Sequence, residues 1–159
     1  MLAETHRGLA DRQTRARQRY LDMIANPETC ECFRRRSQII AEIRRFFETR
    51  GFIEVETPIR IPAPAPEAHI NAVFTNDWFL QTSPELCMKQ LLAAGFSRIF
   101  QICKCFRHKE RGAKHLPELT MLEWYHSGCT YMNIMDDCEE LIGFVARQVN
   151  GNDRICYRG

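Results

Sequence analysis

The sequence lacks any apolar run approaching the roughly 20 residues that a membrane-spanning helix needs. The residues after Met1 are polar and Arg-rich, without the apolar core of an export signal. Together these absences predict a cytoplasmic chain with no membrane partner. The C-x-x-C spacing of zinc sites is missing as well. The eight cysteines include two C-x-C pairs, Cys30/Cys32 and Cys103/Cys105, and residues two apart on a strand merely share a face. Free thiols and no metal site are therefore expected, since disulfides belong to exported proteins. Nor is there an excess of one charge: 22 Lys and Arg against 20 Asp and Glu leave +2. Any electrostatic role must come from clustering, and basic residues cluster at 7–19, 34–45 and 98–114. There is no internal repeat. A chain of 159 residues fits one domain, which would bury roughly 70% of its extended surface.

What is present reads as helices on a mainly antiparallel sheet, an α+β class. Residues 9–25 predict a basic helix with Arg12, Arg15 and Arg19 at helical spacing. Its arginines are either simply solvated or a contact for RNA. In "FRRRSQIIAEIRRFFETRG", Phe33, Ile40, Ile43 and Phe47, widened by Ile39 and Phe46, form an apolar stripe, and Gly51 is placed to end the helix in a left-handed cap. Phe52–Thr57 then predicts a strand stopped by Pro58. "IRIPAPAPEAH" is an extended, proline-rich loop. "INAVF" and "WFLQ" predict short strands around the turn "TND". "SPELCMKQLLAAG" predicts a helix with Ser83 as N-cap, Pro84 at its first position and Gly95 as terminator. "RIFQICKCF" and "ELTMLEWY" form a long hairpin. A last helix presents Met132, Met135, Leu141, Phe144 and Val145 on one side.

The hairpin carries the chemistry. Positions 107–116 hold Arg107, His108, Lys109, Arg111, Lys114 and His115 against one acid, Glu110. Alternation puts Gln101, Cys103, Cys105 and Arg107 on one face of the first strand, and Leu119, Met121, Glu123 and Tyr125 on one face of the second. If both faces look into one cleft, it has an anion-attracting mouth and a carboxylate deeper in. Such a mouth suits a polyphosphate, although a hydrated surface loop would carry the same residues.

From about Leu9 to about Leu141, the succession "RGFIEVETP", "TSPELCMKQLL" and "FR" before "HLPELTMLEWY" resembles the catalytic domain of class II aminoacyl-tRNA synthetases. It is most similar to lysyl-tRNA synthetase and the elongation factor P lysine ligase. The resemblance implies a basic helical extension or linker over residues 1–28 and the N-terminal half of a catalytic domain, truncated, over 29–159. It further implies a homodimer formed through Ile39 to Pro58. The hairpin Phe106 to Tyr125 would grip ATP, which arrives as a substrate with Mg2+. Arg107, the catalytic position, would hold the α-phosphate and His115 the distal phosphates, with His108, Lys109, Leu116 and Leu119 at the other ATP-binding positions. Ser83, Glu85, Glu123 and Tyr125 would form an amino-acid pocket suited to lysine or β-lysine. The product would be an aminoacyl-adenylate for transfer to tRNA or elongation factor P.

The chain departs from the family pattern where a glutamate, an asparagine and an aromatic are usual and it has Lys109, Leu116 and Leu119. The family's glycine-rich third signature, with a second ATP-binding arginine, has no match in "NGNDRICYRG". Stacking on a base is worth roughly 1–3 kcal/mol, so these changes weaken one ligand, ATP. Activity would then need the missing C-terminal half. The alternative is a catalytically degenerate binding or dimerisation module.

Overall fold

The computed structural model describes residues 12–155. Their elements are helices α1 (Arg12–Arg17), α2 (Arg19–Ala25) and α3 (Pro27–Thr49), and strands β1 (Ile53–Glu54), β2 (Arg60–Ile61), β3 (Val73–Thr75) and β4 (Trp78–Leu80). Helix α4 (Glu85–Ala93), strands β5 (Arg98–Phe106) and β6 (Glu118–His126), and helix α5 (Tyr131–Asn150) follow. Mixed helices and strands in this order make the α+β class expected. Residues 46–139 form one compact unit, and 12–45 with 140–155 another.

In the first of these units, two glycines stop helices by the same backbone device. Gly51 has φ +73°; its N–H donates to Glu48 O at 3.0 Å while that of Phe52 donates to Phe47 O at 3.0 Å. Gly95, at φ +104°, repeats the pattern: its N–H reaches Leu92 O at 3.0 Å, and that of Phe96 reaches Leu91 O at 3.2 Å. Both turns satisfy carbonyls that the ending helix would otherwise strand.

The chain leaving Gly51 enters a three-stranded sheet ordered β1-β5-β6. Strand β1 is only Ile53–Glu54, shorter than the Phe52–Thr57 expected, and pairs parallel to β5. Val55 extends that contact by one hydrogen bond to Phe100 O, 2.9 Å. Beyond it the partner changes: Phe106 N–H donates to Gln81 O, 2.9 Å, so the far end of β5 is occupied by the segment before α4. β5 and β6 pair antiparallel over nine positions, from Arg98↔His126 to Phe106↔Glu118. A second sheet, ordered β2-β4-β3, contains the short hairpin around Asn76 and Asp77. Asn76 takes φ 56° there, a conformation asparagine tolerates.

The alternation of β5 and β6 sorts core from site. On one face, Phe100 and Trp124 are register partners. Phe47 stacks on Phe100 at 4.8 Å and meets Trp124 at 5.5 Å, Phe52 at 5.0 Å and Phe46 at 5.2 Å. Phe46, Phe47 and Phe100 are fully buried. Aromatic pairs of this kind add about 0.5–1.5 kcal/mol each beyond their buried area. The opposite face is thereby left to the polar residues. At the sheet's end Arg98 Nε donates to His126 Nε2, 2.9 Å, and His126 Nδ1 lies 3.7 Å from Asp137 Oδ2.

In the other unit the single helix expected over 9–25 is broken at Gln18 into α1 and α2; residues 9–11 lie outside the described residues. Two of its arginines converge on one carboxylate while staying partly exposed. Arg15 Nε reaches Asp22 Oδ1 at 2.6 Å and Arg19 Nη1 reaches Oδ2 at 3.2 Å. Asn26 Nδ2 and Thr29 Oγ1 also donate to Asp22, at 2.7 and 3.3 Å. These four donors cover the Asp22 carboxylate completely. Helix α3 begins at Pro27, six residues before Phe33, because proline's fixed φ suits a first helical position. Of its expected stripe, Phe33 is exposed, Ile40 and Ile43 are half-buried and Phe47 is buried. In α5, Leu141 is buried but Met132 and Met135 are exposed. No described helix is long and apolar enough to cross a membrane.

Candidate functional site

Glu123 is the centre of the polar face. It pairs with Gln101 across β5 and β6. Its Oε2 accepts from Ser83 Oγ at 2.8 Å and its Oε1 from Tyr125 OH at 2.6 Å. Ser83 is held in place because its hydroxyl also accepts the Glu85 backbone N–H, 3.2 Å, at the start of α4. The helix proper begins at Glu85, one residue later than expected, so Pro84 rather than Ser83 stands at the N-cap, without a side-chain cap of its own. One hydroxyl thus ties a helix start to a strand carboxylate. The Tyr125 phenol is pushed well above its ordinary value, first by burial, then by its hydrogen bond to Glu123 and the charges of Glu123 and Glu85. Glu85 is partly exposed and forms an ion pair with Lys89 one turn along α4. Ser83, Glu85, Glu123 and Tyr125 are therefore brought together.

Arg107 stands at the other end of the same face. Its backbone N–H donates to Pro117 O, 2.9 Å, prolonging the hairpin by one bond beyond β5. That bond continues the β5–β6 register one position past Phe106, two beyond Cys105, so Arg107 follows Gln101, Cys103 and Cys105 along the face of Glu123. Arg107 Nη1 lies 3.6 Å from Glu110 Oε2, while Arg107 Nε is buried without a hydrogen-bond partner. A guanidinium so placed keeps donors for an oxyanion.

The loop turns sharply after Arg107. β5 has ended at Phe106, and Lys109 adopts φ 59°. That turn brings Glu110 back to Arg107 and to His115 Nε2, 3.6 Å from its Oε1. The single acid of the basic loop is thus its organiser, while Lys109 is exposed. His108 is exposed and anchored by its backbone N–H to Asn71 O, 2.7 Å. Leu116 is 63% exposed, whereas Leu119 is half-buried opposite Cys105.

Two buried polar residues, Gln81 and Thr57, escaped sequence reasoning. Gln81, fully buried, donates from Nε2 to Lys104 O at 2.9 Å. Thr57 Oγ1 donates to Gln101 Oε1 at 3.1 Å. Gln101 was placed on the right face by alternation, but its partner lies 44 residues away, beyond any local pattern. Beside them, Cys105 is held above the ordinary thiol range by its hydrogen bond to Cys103 and by burial, and that bond lowers Cys103. Among the described residues no group of three or more His, Cys, Asp or Glu is placed to hold a metal ion.

The long hairpin thus carries a guanidinium at its loop end and a hydroxyl-clamped carboxylate below it. The family model for class II tRNA synthetases (D, K and N) matches residues 11–156, and the chain belongs to that family. Within it, the similarity runs to lysine–tRNA ligases. The chain is 42% identical to that of Magnetococcus marinus over 165 residues, 99% of this chain and 33% of the relative. It is 44% identical to that of Wolinella succinogenes over 150 residues, 91% of this chain and 29% of the relative. A third relative, from Coxiella burnetii, is 42% identical over 158 residues, 96% of this chain and 32% of the relative. The chain thus spans about a third of the length of these relatives.

Proposed function

We propose that this chain supplies the amino-acid pocket and the first ATP-gripping elements of a lysine-activating ligase. The observation that carries the proposal is the paired environment of Glu123, whose two oxygens are aimed by Ser83 and Tyr125 with Glu85 close by. Two carboxylates and a phenol suit the two ammonium groups of lysine or β-lysine. ATP would enter with Mg2+ as a substrate, its α-phosphate against Arg107 and its distal phosphates toward His115. The amino-acid carboxylate attacks the α-phosphorus, a carboxyl O–P bond forms, the α–β anhydride bond breaks and pyrophosphate leaves. Positioning and charge neutralisation do most of this work. The aminoacyl group would pass to tRNA or to elongation factor P. The names of the lysine–tRNA ligase relatives support the lysine assignment.

Pyrophosphate exchange by the full natural gene product tests this proposal. Exchange dependent on lysine or β-lysine is the expected result, and its absence with both amino acids overturns it. Glu123→Gln should abolish exchange while the protein stays folded.

The second reading is a binding module that has lost catalysis. It is favoured by the pairing of Arg107 with Glu110 and by the exposure of Leu116, 63%, where the chain departs from the family. The two readings separate on ATP. A nucleotide at 100 times its dissociation constant stabilises the fold by about 2.7 kcal/mol, and an unchanged thermal transition favours the module.

A further inference from the structure

Three sulfur atoms converge on the face that carries Glu123. Cys103 and Cys105 are two apart on β5, so both side chains leave the same side of the sheet, and their sulfurs lie 3.8 Å apart. Met121 is the register partner of Cys103 on β6, and its Sδ lies 3.9 Å from Cys105 Sγ. Cys105 is fully buried whereas Cys103 and Met121 are half-buried. Sulfur ligands about 2.3 Å from a trigonal ion stand about 4.0 Å apart, close to the two spacings already present.

We propose that Cys103, Cys105 and Met121 form a binding site for a soft, monovalent cation of the Cu(I) type. The donor set selects the ion. Two thiolates and a thioether favour Cu(I), whereas zinc takes thiolate, imidazole and carboxylate ligands, usually four of them. Strand geometry is what makes the pair a chelate. Cys30 and Cys32 have the same spacing, but they sit on helix α3, where neighbours two apart face different ways, and Cys30 Sγ is turned to Met23 O, 3.4 Å. Binding exchanges the two thiol protons for one Cu(I); no electron is transferred. The site does not depend on the proposed ligase function, and lies on the same sheet face as the residues assigned to it.

The test is an anaerobic titration of the reduced chain with Cu(I) presented from bicinchoninate, followed by X-ray absorption. One Cu(I) per chain should bind first, with a shell of three sulfurs at about 2.3 Å. Loss of an outer-shell partner already weakens metal sites about 10- to 100-fold, so Cys105→Ser and Met121→Leu should each weaken this ion by about tenfold or more. Met121→Leu nearly conserves side-chain volume, which keeps the test independent of folding. Cys30→Ser/Cys32→Ser should leave the first ion unchanged. The proposal is overturned if Met121→Leu binds Cu(I) as the parent does, if the first ion disappears with Cys30 and Cys32, or if the shell holds fewer than three sulfurs.

Discussion

Glu123 shows how one carboxylate can be aimed by two hydroxyls that arrive from different elements. Ser83 and Tyr125 spend their protons on its two oxygens, and hydrogen bonds to a charged group contribute about 1.5–3 kcal/mol. Tyr125→Phe should lower the unfolding free energy in urea by an amount in that range. Ser83→Ala removes the donor to Glu123 and the acceptor of the Glu85 N–H and should likewise cost about 1.5–3 kcal/mol. Because the two share one acceptor, the double variant should depart from additivity by at least about 0.5 kcal/mol. An additive cycle would mean that the hydroxyls act separately. The phenol offers a second readout. Its folded pKa is raised, so the stability it contributes is complete below the unfolded value near 10 and declines as pH rises through the folded one. In an alkaline unfolding series Tyr125→Phe should flatten that decline.

At this scale much of the site was legible. Period-two alternation over residues 98–106 and 118–126 was enough to put Gln101, Cys103 and Cys105 on the side of Glu123, since β5 and β6 pair without a bulge. The setting of Glu110 was not legible, because the left-handed backbone of Lys109 redirects it, and a lysine does not announce that conformation. Gln81 and Thr57 were missed because their partners are distant in sequence.

Among the elements, helix ends were read best because their chemistry is local. Gly51 and Gly95 were both expected as terminators, and both have positive φ. A Cβ added at Gly51 would meet nothing within 4 Å, so Gly51→Ala tests backbone strain alone. It should destabilise by about 1–2 kcal/mol, read from a lower denaturant midpoint at constant slope. The break between α1 and α2 was less legible. Helical periodicity left Arg15 and Arg19 as either solvated or a contact for RNA and gave no sign that Asp22 gathers them around the turn at Gln18. The pKa of Asp22 is lowered, most strongly by its hydrogen bond from Arg15 and against the effect of burial. Its contribution to stability is therefore present above the ordinary value of 3.8 and is lost as pH falls through the folded value. In an acid titration followed by helical circular dichroism, Asp22→Asn should remove the pH dependence of this segment.

For the molecule as a whole, the resemblance predicts self-association through Ile39 to Pro58. Ile39 is 37% exposed and Ile53 is 52% exposed, so this segment offers apolar surface that a second copy would cover. Sedimentation should give twice the mass of the chain, and Ile53→Asp should return it to the monomer. A monomer at every concentration would rule the dimer out.

The two pairings of β5 have very different costs in chain entropy. Its union with β6 closes only the short loop between Phe106 and Glu118, whereas the parallel contact of Ile53 with Ile99 must first enclose everything between them. Closure cost grows with the logarithm of loop length, and local pairings form fastest. The hairpin should therefore assemble before the edge strand arrives. In stopped-flow refolding, hairpin substitutions such as Thr120→Gly should slow folding, while Ile53→Val should mainly quicken unfolding.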